Sequence, residues 1–285
     1  MRVRVLGSAA GGGLPQWNCG CENCARARRG ELRARTQDSL LVTGERGSLL
    51  VNASPDVLRQ IEATPALWPR ARRDTPISAI VLTNGDLDHV LGLFSLRESQ
   101  PLVVYATERV WRGLMENAIA RTLARFEGQV THKRIAPGER CEIVEAGLAL
   151  AAFAAPGKPP VHLPGAPHPE DNVGLRIEHG GRVVTVATAL KSVDVVTPCD
   201  VVFLDGTFFS SDELASQKLG TARAEDMAHQ PLKESLPALE GVRFGRKILT
   251  HVNNSNPILR EDSPERAWVE ARGWEIAFDG MEVEA

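Results

Sequence analysis

The feature that most constrains the fold of this chain is a cluster of three cysteines near its N-terminus. Cys19, Cys21 and Cys24 lie within six residues, too close together to pair sensibly as disulfides in a reducing compartment. Thiolates are soft zinc ligands, and a C-x-C-x-x-C loop can present three sulfurs to one tetrahedral ion. A closed structural site needs a fourth ligand, so a residue distant in sequence must return to this loop. The candidates lie in the run HVNNSNP, among them Asn254 and His251.

The length and charge of the chain indicate one soluble domain. With 285 residues and 43% hydrophobic content it can bury one large core, which predicts a single α/β domain over 1–285 with a zinc loop at about 17–26. A net charge of −3 favours a small or peptidic partner over nucleic acid or an anionic membrane. Without a secretion signal or the roughly 20 apolar residues of a membrane span, we expect a cytoplasmic protein.

The hydrophobic patterns predict two β-sheets covered by helices. Alternation or apolar runs predict the strands, and apolar residues at helical spacing predict the helices. Strands are expected in MRVRVLG, in SLLVTGERGSLLVNASPD as a pair, and in ISAIV, PLVVY, LALAAFAA, VGLRIEHGGRVVTVAT and CDVVFLDGTFF. Helices are expected in PDVLRQIEATPAL, LDHVLGLFSLRES, ERVWRGLMENAIARTLARF and SPERAWVEARG.

The loop TNGDLDHV, between a buried strand and a helix, is the second candidate for chemistry. Asn84, Asp86, Asp88 and His89 occupy it, a position where metal ligands are often mounted. An equally simple interpretation is that Asp88 caps the helix that follows, by accepting backbone N–H groups of its first turn. The loop alone leaves both interpretations open.

The rest of the chain favours a metal centre. His168, His229 and His251 follow or lie within polar loops, and Asp205 ends an apolar strand, where a buried carboxylate needs a partner or a metal. Any one of these histidines is explained most simply by a structural role, but the set indicates a metal. The irregular stretch 155–172, which ends in acids after His168, is expected to be functional because long ordered loops usually are.

Three further features have simpler explanations. Cys141 and Cys199 stand alone in apolar surroundings and are expected to be small buried hydrophobic residues. The glycine run AAGGGLPQ lacks the Lys-Ser/Thr of a phosphate-binding loop, so no nucleotide is implied. We expect it to pack closely beside the cysteine loop or to shape the floor of a pocket.

Several blocks of sequence resemble the pyrroloquinoline quinone (PQQ) biosynthesis protein B family of the metallo-β-lactamase superfamily. The resemblance runs almost end to end and implies a four-layer αβ/βα sandwich, with two sheets face to face, helices outside and a metal site at the sheet edges. The blocks are GSAAGGGLPQWNCGCENC, LTNGDLDHVLG, PHPEDNVGL, LDGTFF, HVNNSNPILREDSPERA and FDGMEVE.

The superfamily's hydrolases carry H-x-H-x-D-H where this chain has Asn84, Asp86, Asp88 and His89, so both leading histidines are missing. One metal position is nearly intact and the other retains weaker oxygen ligands, which argues against a two-metal hydrolytic site. The resemblance implies an active-site metal held by Asp88, His89, His251 and Asp205, with Asp86 and His168 as further candidates.

Two imidazoles and one carboxylate around an ion with open positions are the ligand set of non-haem Fe(II) oxygenases. The resemblance likewise implies an Fe(II)- and O2-dependent hydroxylase acting on the tyrosine ring of a Glu–Tyr-derived PQQ precursor, with Zn, Mn or Mg able to replace the iron. The catalytic residues would be Asp88, His89, His251, Asp205 and His229, and the substrate-binding residues His168, Asp171, Asn172, Asn253 and Asn254.

Other functions remain open at this point. The chain could be a zinc-dependent phosphodiester or ester hydrolase, or a non-catalytic carrier that transports PQQ or its precursor towards the periplasm. Ala228 stands before His229 where the family is expected to have Gly, and LKES replaces a Gly-rich continuation, which leaves open a paralogue with another peptide-derived substrate. Other enzymes of the pathway are candidate partners, and a homodimer is compatible with the sequence.

Overall fold

The computed structural model describes residues 1–98, 100–155, 157–160, 162 and 165–285. Its framework is a pair of seven-stranded sheets. In spatial order the first sheet contains β14 (Glu282–Glu284), β1 (Arg2–Gly7), β2 (Ser39–Thr43), β3 (Ser48–Val51), β4 (Ile77–Val81), β5 (Leu102–Ala106) and β6 (Val130–Arg134). The second contains β13 (Glu275–Ile276), β12 (Phe244–Thr250), β11 (Cys199–Asp205), β10 (Arg182–Ala187), β9 (Val173–His179), β8 (Leu148–Ala154) and β7 (Arg140–Ile143).

The two sheets repeat one pairing pattern. Strands β1, β2 and β3 are antiparallel neighbours, and β3 to β6 are parallel. In the second sheet β7 to β10 are antiparallel, and β10 to β13 are parallel. Ligand sites in sheets of this kind form outside the carboxyl ends of parallel strands, here β3 and β4 in one sheet and β11 and β12 in the other.

In the described residues, eight short α-helices connect or cover the strands. Those between β3 and β6 pack on the outer face of the first sheet, and the last two pack on the outer face of the second. The helices are α1 (Glu22–Arg28), α2 (Val57–Glu62), α3 (Leu87–Val90), α4 (Gly92–Ser95), α5 (Glu108–Met115), α6 (Glu213–Ser216), α7 (Leu232–Ala238) and α8 (Pro264–Glu270). Short 3-10 helices cover Pro65–Leu67, Ala118–Ala124, Val193–Val195, Glu225–Met227 and Pro257–Leu259.

The strand period of two produces the layers, because successive side chains point to opposite faces. On β3, Leu49 and Val51 join the core between the sheets, whereas Leu50 faces the helices. On β11, Phe203 joins the core between the sheets and Val202 faces the helices on the other side. Apolar side chains on both faces exclude water from both, so the predicted four-layer αβ/βα sandwich is confirmed.

The structure also differs from the sequence-based expectations in places. The helix expected after the TNGDLDHV loop is divided into α3 and α4. The helix expected after β5 is also divided: α5 ends at Met115, and a separate 3-10 helix covers Ala118–Ala124. Strands β6, β7, β12, β13 and β14 were not among the expected elements. The irregular stretch 155–172 lies partly outside the described residues, at positions 156, 161, 163 and 164. Cys141 and Cys199 are half-buried against the cores. Across the described residues, no helix has the length and hydrophobicity to cross a membrane.

Candidate functional site

The site residues come from the carboxyl ends of parallel strands in both sheets. Strand β4 continues into Thr83 and the loop that carries Asp88 and His89. Strand β11 ends at Asp205, and β12 is followed directly by His251. The two sheets face each other at this edge, so side chains far apart in sequence meet there.

Asp88, His89 and His251 form a trio in which both histidines are buried and Asp88 is partly exposed. The Asp88 Oδ2 atom lies 3.3 Å from His251 Nε2 and 3.7 Å from His89 Nε2, and the ring centroids of the two histidines are 5.3 Å apart. Asp88 lies within α3 and bonds across to His251, and no side-chain hydrogen bond caps α3. Its place in the trio therefore favours the metal interpretation of the loop over the helix-cap interpretation.

A threonine hydroxyl orients the histidine of the first sheet. Thr83 Oγ1 lies 3.1 Å from His89 Nδ1 and 3.0 Å from Asn52 Oδ1. Since an amide oxygen only accepts, the hydroxyl donates to Asn52 and accepts from His89 Nδ1–H. The lone pair of His89 is thereby placed on Nε2, the atom that points to Asp88.

The second sheet repeats this device with Thr207. The Thr207 hydroxyl lies 2.6 Å from Asp205 Oδ1 and 2.8 Å from His251 Nδ1. It donates to the carboxylate, so it accepts from His251 Nδ1–H; His251 Nε2 then carries the lone pair when the ring is neutral, or the proton that bonds to Asp88 when the ring is charged. A histidine whose Nδ1–H is held by a hydrogen bond, which leaves Nε2 for the ion, is typical of metal sites.

The donor set fits a metal ion. His89 Nε2 is fully buried and has no hydrogen-bond partner in the described structure, and a buried polar atom of this kind needs an explanation. A cation held by His89 Nε2, His251 Nε2 and the Asp88 carboxylate would satisfy it. Gly11 leaves room on the same side, since a Cβ at this position would lie 3.4 Å from Asp88 Oδ2.

The charges of the trio reinforce one another. Burial alone would lower the pKa of His251, but the hydrogen bond and charge of Asp88, with the charges of Asp38 and Asp205, raise it to about 9. Burial would raise the pKa of Asp88, and the charges of His89 and His251 hold it well below its usual range. The anionic surroundings of His251 suit a cation, whether a proton or a metal.

Asp205 and His229 form a second pair beside the trio. His229 Nδ1 lies 2.6 Å from Asp205 Oδ2, which also accepts the Leu190 N–H, while Asp205 Oδ1 accepts the Thr207 N–H and hydroxyl. Both oxygens of Asp205 are therefore occupied by protein donors. The His229 ring stacks on His251 with centroids 5.6 Å apart, and within the described residues the His229 side chain is hydrogen-bonded through Nδ1 and not through Nε2.

The three cysteines form a separate group. Their sulfurs all lie within 4.8 Å of one another, and Asn254 Nδ2 lies 3.2 Å, 3.6 Å and 3.4 Å from the sulfurs of Cys19, Cys21 and Cys24. Burial raises the pKa of the Cys24 thiol to about 12 despite the Gln16 N–H that lowers it. Three sulfurs this close together are the soft ligands that zinc prefers, so the set fits a zinc ion. Of the two predicted fourth ligands, Asn254 lies at the cysteines, and His251 belongs to the other site.

Residues 48–252 match the family model described as the beta-lactamase superfamily domain. Coenzyme PQQ synthesis protein B of Cupriavidus necator is 44% identical over 300 residues, covering 99% of this chain and 98% of that protein. The protein of the same description from Methylorubrum populi is 42% identical over 302 residues, covering 100% of both. The chain belongs to the coenzyme PQQ synthesis protein B family.

Solved structures agree with this family assignment. Zinc-bound PqqB from Methylobacterium extorquens superposes with a TM-score of 0.95 at 40% identity, covering 100% of both chains. A diphosphatase from the PhnP family superposes with a TM-score of 0.70 at 21% identity, covering 99% of this chain and 97% of that one, which shows a shared fold. The resemblance to PQQ synthesis protein B is thus confirmed, and the zinc-bound relative supports a metal cofactor.

Some predicted site residues lie elsewhere in this PQQ synthesis protein B family member. His168 is exposed, and its Nδ1 accepts the Glu170 N–H. Asp171 is buried, pairs with Arg109 and accepts the His168 N–H. Asn172 donates to the carbonyls of Ala155 and Ala189. These contacts order the loop itself, and none of the three joins a metal-binding group of the described residues.

Two polar loop residues, Asn84 and Asp86, and one asparagine, Asn253, complete the predicted set. Asn84 Oδ1 accepts the Asp86 N–H, and Asn84 Nδ2 donates to Asn172, which links the two sheets beside the site. Asp86 stands at the start of α3 and joins none of the metal-binding groups found in the described chain. The Asn253 N–H donates to the Thr207 carbonyl, which places Asn253 next to the metal centre.

Sequence reasoning missed the residues that support the histidines. Asn52 accepts from Thr83 and donates to the fully buried Asp38 across 3.4 Å, and Thr250 Oγ1 also donates to Asp38. Burial raises the pKa of Asp38, while the charges of His251 and His89 lower it. No local motif marks these polar residues. Positive φ angles at Asn52, Ala228 and His251 show that the backbone of the site is strained as well.

Proposed function

We propose that this protein acts in PQQ biosynthesis as an Fe(II)- and O2-dependent hydroxylase of the tyrosine ring of a Glu–Tyr-derived precursor. The observation that carries the proposal is the convergence of His89 Nε2, His251 Nε2 and the Asp88 carboxylate. In the described chain no other His, Cys or carboxylate joins this trio, so an ion held there keeps open positions. Two histidines and one carboxylate with open positions are the set found in non-haem iron oxygenases.

The residues around the trio have definite tasks in this proposal. Bound iron would supply the activation of O2. Thr83 and Thr207 hold His89 and His251 in the tautomer that binds metal through Nε2. Asp205 orients His229 through the Nδ1 atom, which leaves His229 Nε2 to take the phenol proton as the ring is oxidised.

Burial of the two histidines keeps bulk water from their rings. His89 is 1% exposed and His251 is 5% exposed, so both rings act in surroundings of low polarity. A charge that develops at the phenol is stabilised more strongly there than in water. Asn253 and Asn254 remain the proposed substrate contacts among the polar residues of this region.

A second candidate is hydrolysis at two metal ions. The group formed by Asp205, His229 and His251 favours it, because each residue offers one ligand atom and these three atoms lie within 4.8 Å of one another. Both oxygens of Asp205 already accept two hydrogen bonds each, so a metal there would have to displace protein donors. The single-metal proposal requires no such displacement.

Metal content is the first measurement. Protein expressed in iron-supplemented medium and purified without air is compared with His89→Ala and Cys21→Ser by mass spectrometry. We expect iron to be lost only in His89→Ala and zinc only in Cys21→Ser. Zinc alone, unchanged by His89→Ala, would contradict the hydroxylase and favour the carrier function.

Turnover is the second measurement. Fe(II)-reconstituted protein is given the linear or bicyclic Glu–Tyr substrate and O2, and the product mass is followed together with O2 uptake. An unoxidised ring, under conditions in which another family member works, would sink the proposal. Cleavage of a chromogenic phosphodiester with Zn or Mn would support the hydrolase instead, and tight PQQ binding without turnover would support a carrier.

We also propose a cytoplasmic location. None of the five cysteines forms a disulfide, which suits a reducing compartment.

A further inference from the structure

A cavity of about 320 Å³ lies beside the cysteine group, since Cys19 and Asn254 are among its lining residues. Its lining also includes Gly11, where a Cβ would lie 3.4 Å from Asp88 Oδ2. The cavity therefore contacts the cysteine group directly and reaches the Asp88 trio through Gly11. Its volume is at the lower end of the range of small-molecule pockets, about 300–1,000 Å³.

The lining of this cavity is uncharged. One set of lining side chains is apolar, and another carries amides, which can bond a hydroxyl or carbonyl group. The apolar side chains are Phe208, Leu214, Leu219 and Met227, and the amides are Gln16, Asn18, Asn253 and Asn254. No charged side chain belongs to the described lining, so a carboxylate or ammonium bound there would have no counter-ion. This chemistry suits an aromatic ring with a neutral polar substituent, such as a phenol.

Phe208 connects the cavity to the catalytic histidines. Its ring meets His229 edge to face, with centroids 5.9 Å apart, and His229 stacks in turn on His251. A ring held against Phe208 would therefore be one side chain away from His229, the residue assigned above to proton transfer. This position supports the cavity as the place of the reacting ring.

The opposite wall is the cysteine loop, and its position depends on the cysteine group. The Gln16 N–H donates to Cys24 Sγ across 3.4 Å. Arg28, on α1, donates to the carbonyls of Gln16 and Cys19 at 2.6 Å and 2.5 Å. The wall that carries Asn18 is thus held from behind by a thiol and a guanidinium group, neither of which lines the cavity.

We propose that the cysteine loop is the specificity wall of the substrate cavity, with Gln16 and Asn18 recognising the phenol-bearing ring of the substrate. The inference rests on the proposed function, and it gives the cysteine zinc a second task beyond holding the fold. By fixing the loop, the zinc fixes the amides that face the ring. Binding of a phenolic ligand then depends on a site that takes no part in the chemistry.

The test measures binding of the dipeptide Glu–Tyr by titration calorimetry, with Glu–Leu as the matched ligand of equal charge. Full-length protein with its cysteine zinc is compared with Asn18→Ala and Arg28→Ala. Trp17→Ala is the control, because the Trp17 side chain is 86% exposed in the same loop and does not line the cavity. We expect the wild type to prefer Glu–Tyr, and both wall variants to lose roughly five- to tenfold of that preference with zinc content unchanged.

The outcomes separate this inference from the proposed function. Three outcomes would refute the role of the cysteine loop in recognising the ring. They are no preference for Glu–Tyr in the wild type, unchanged preference in Asn18→Ala and Arg28→Ala, and an equal loss of preference in Trp17→Ala. If Arg28→Ala loses zinc, Asn18→Ala alone decides. Ring oxidation by the iron-loaded wild type is scored separately. Oxidation with an unaltered KM in the wall variants refutes the inference alone, whereas ring-selective binding without any oxidation refutes the hydroxylase alone.

Discussion

Replacing Ala228 by Gly tests whether the site stores backbone strain. Ala228 has φ 68° and ψ 34°, the left-handed region, and it directly precedes His229. For an L-residue this conformation costs about 1–2 kcal/mol, which Gly does not pay. Gly also loses about 0.5–1 kcal/mol through the entropy of the unfolded chain. Because Ala228 is 5% exposed, the lost methyl group costs about 0.8 kcal/mol more.

Gain and loss nearly cancel, so we expect Ala228→Gly to change the free energy of unfolding by less than about 1 kcal/mol. The matched control is Ala187→Gly, at the end of β10, where Ala187 is 1% exposed in ordinary strand conformation. That variant gains nothing from strain relief and should lose about 1.3–1.8 kcal/mol. The difference between the two variants isolates the strain at Ala228.

The assay is urea denaturation of both variants and wild type at equal zinc content, followed by the midpoint and slope of each transition. Metal content at the second site checks that His229 and its neighbours keep their arrangement. An equal loss of stability in Ala228→Gly and Ala187→Gly would refute the reasoning, because it would show that the left-handed turn carries no strain. It would also remove the physical reason for expecting Gly at this position.

Three further predictions follow from the contacts of the site. Thr207→Val removes the hydroxyl between Asp205 and His251, so affinity for the active-site metal should fall roughly 10- to 100-fold in a chelator competition, and unchanged affinity would contradict the assigned tautomer. Asp38→Asn removes a buried carboxylate whose charge acts on His251, and we expect roughly tenfold weaker binding of the same metal with the cysteine zinc retained. Burial raises the pKa of Glu213 from 4.5 to about 7, so the folded state keeps a proton that the unfolded state loses, and stability should fall by up to about 3 kcal/mol as pH rises through that window. Glu213→Gln should reduce the difference between the free energies of unfolding that urea titrations give at pH 5 and at pH 8. An unchanged difference would contradict the raised pKa of Glu213.

Much of the fold could be predicted because its signals are local. A strand with one face towards the other sheet and one towards helices shows apolar residues at every position, as in the run VVFL of β11. Edge strands such as β6 and β14 carry charged residues and short runs, so their patterns are weak. They form because neighbouring strands offer unpaired backbone groups, which no window of sequence reveals.

The site divides in the same way. The sequence by itself determined the spacing of Cys19, Cys21 and Cys24 and the adjacency of Asp88 and His89. Residues so close along the chain stay close in space in any fold. Spacing does not place His251, 163 positions after Asp88, in the trio; the family resemblance predicts this and the tertiary structure brings His251 there. Only the tertiary structure decides that Asn254, rather than His251, faces the cysteines. It also left His168 exposed in its own loop. The physical reason is that neighbouring residues determine the ligand types and their local spacing, whereas the direction of a side chain at a sheet edge depends on how the two sheets pack against each other.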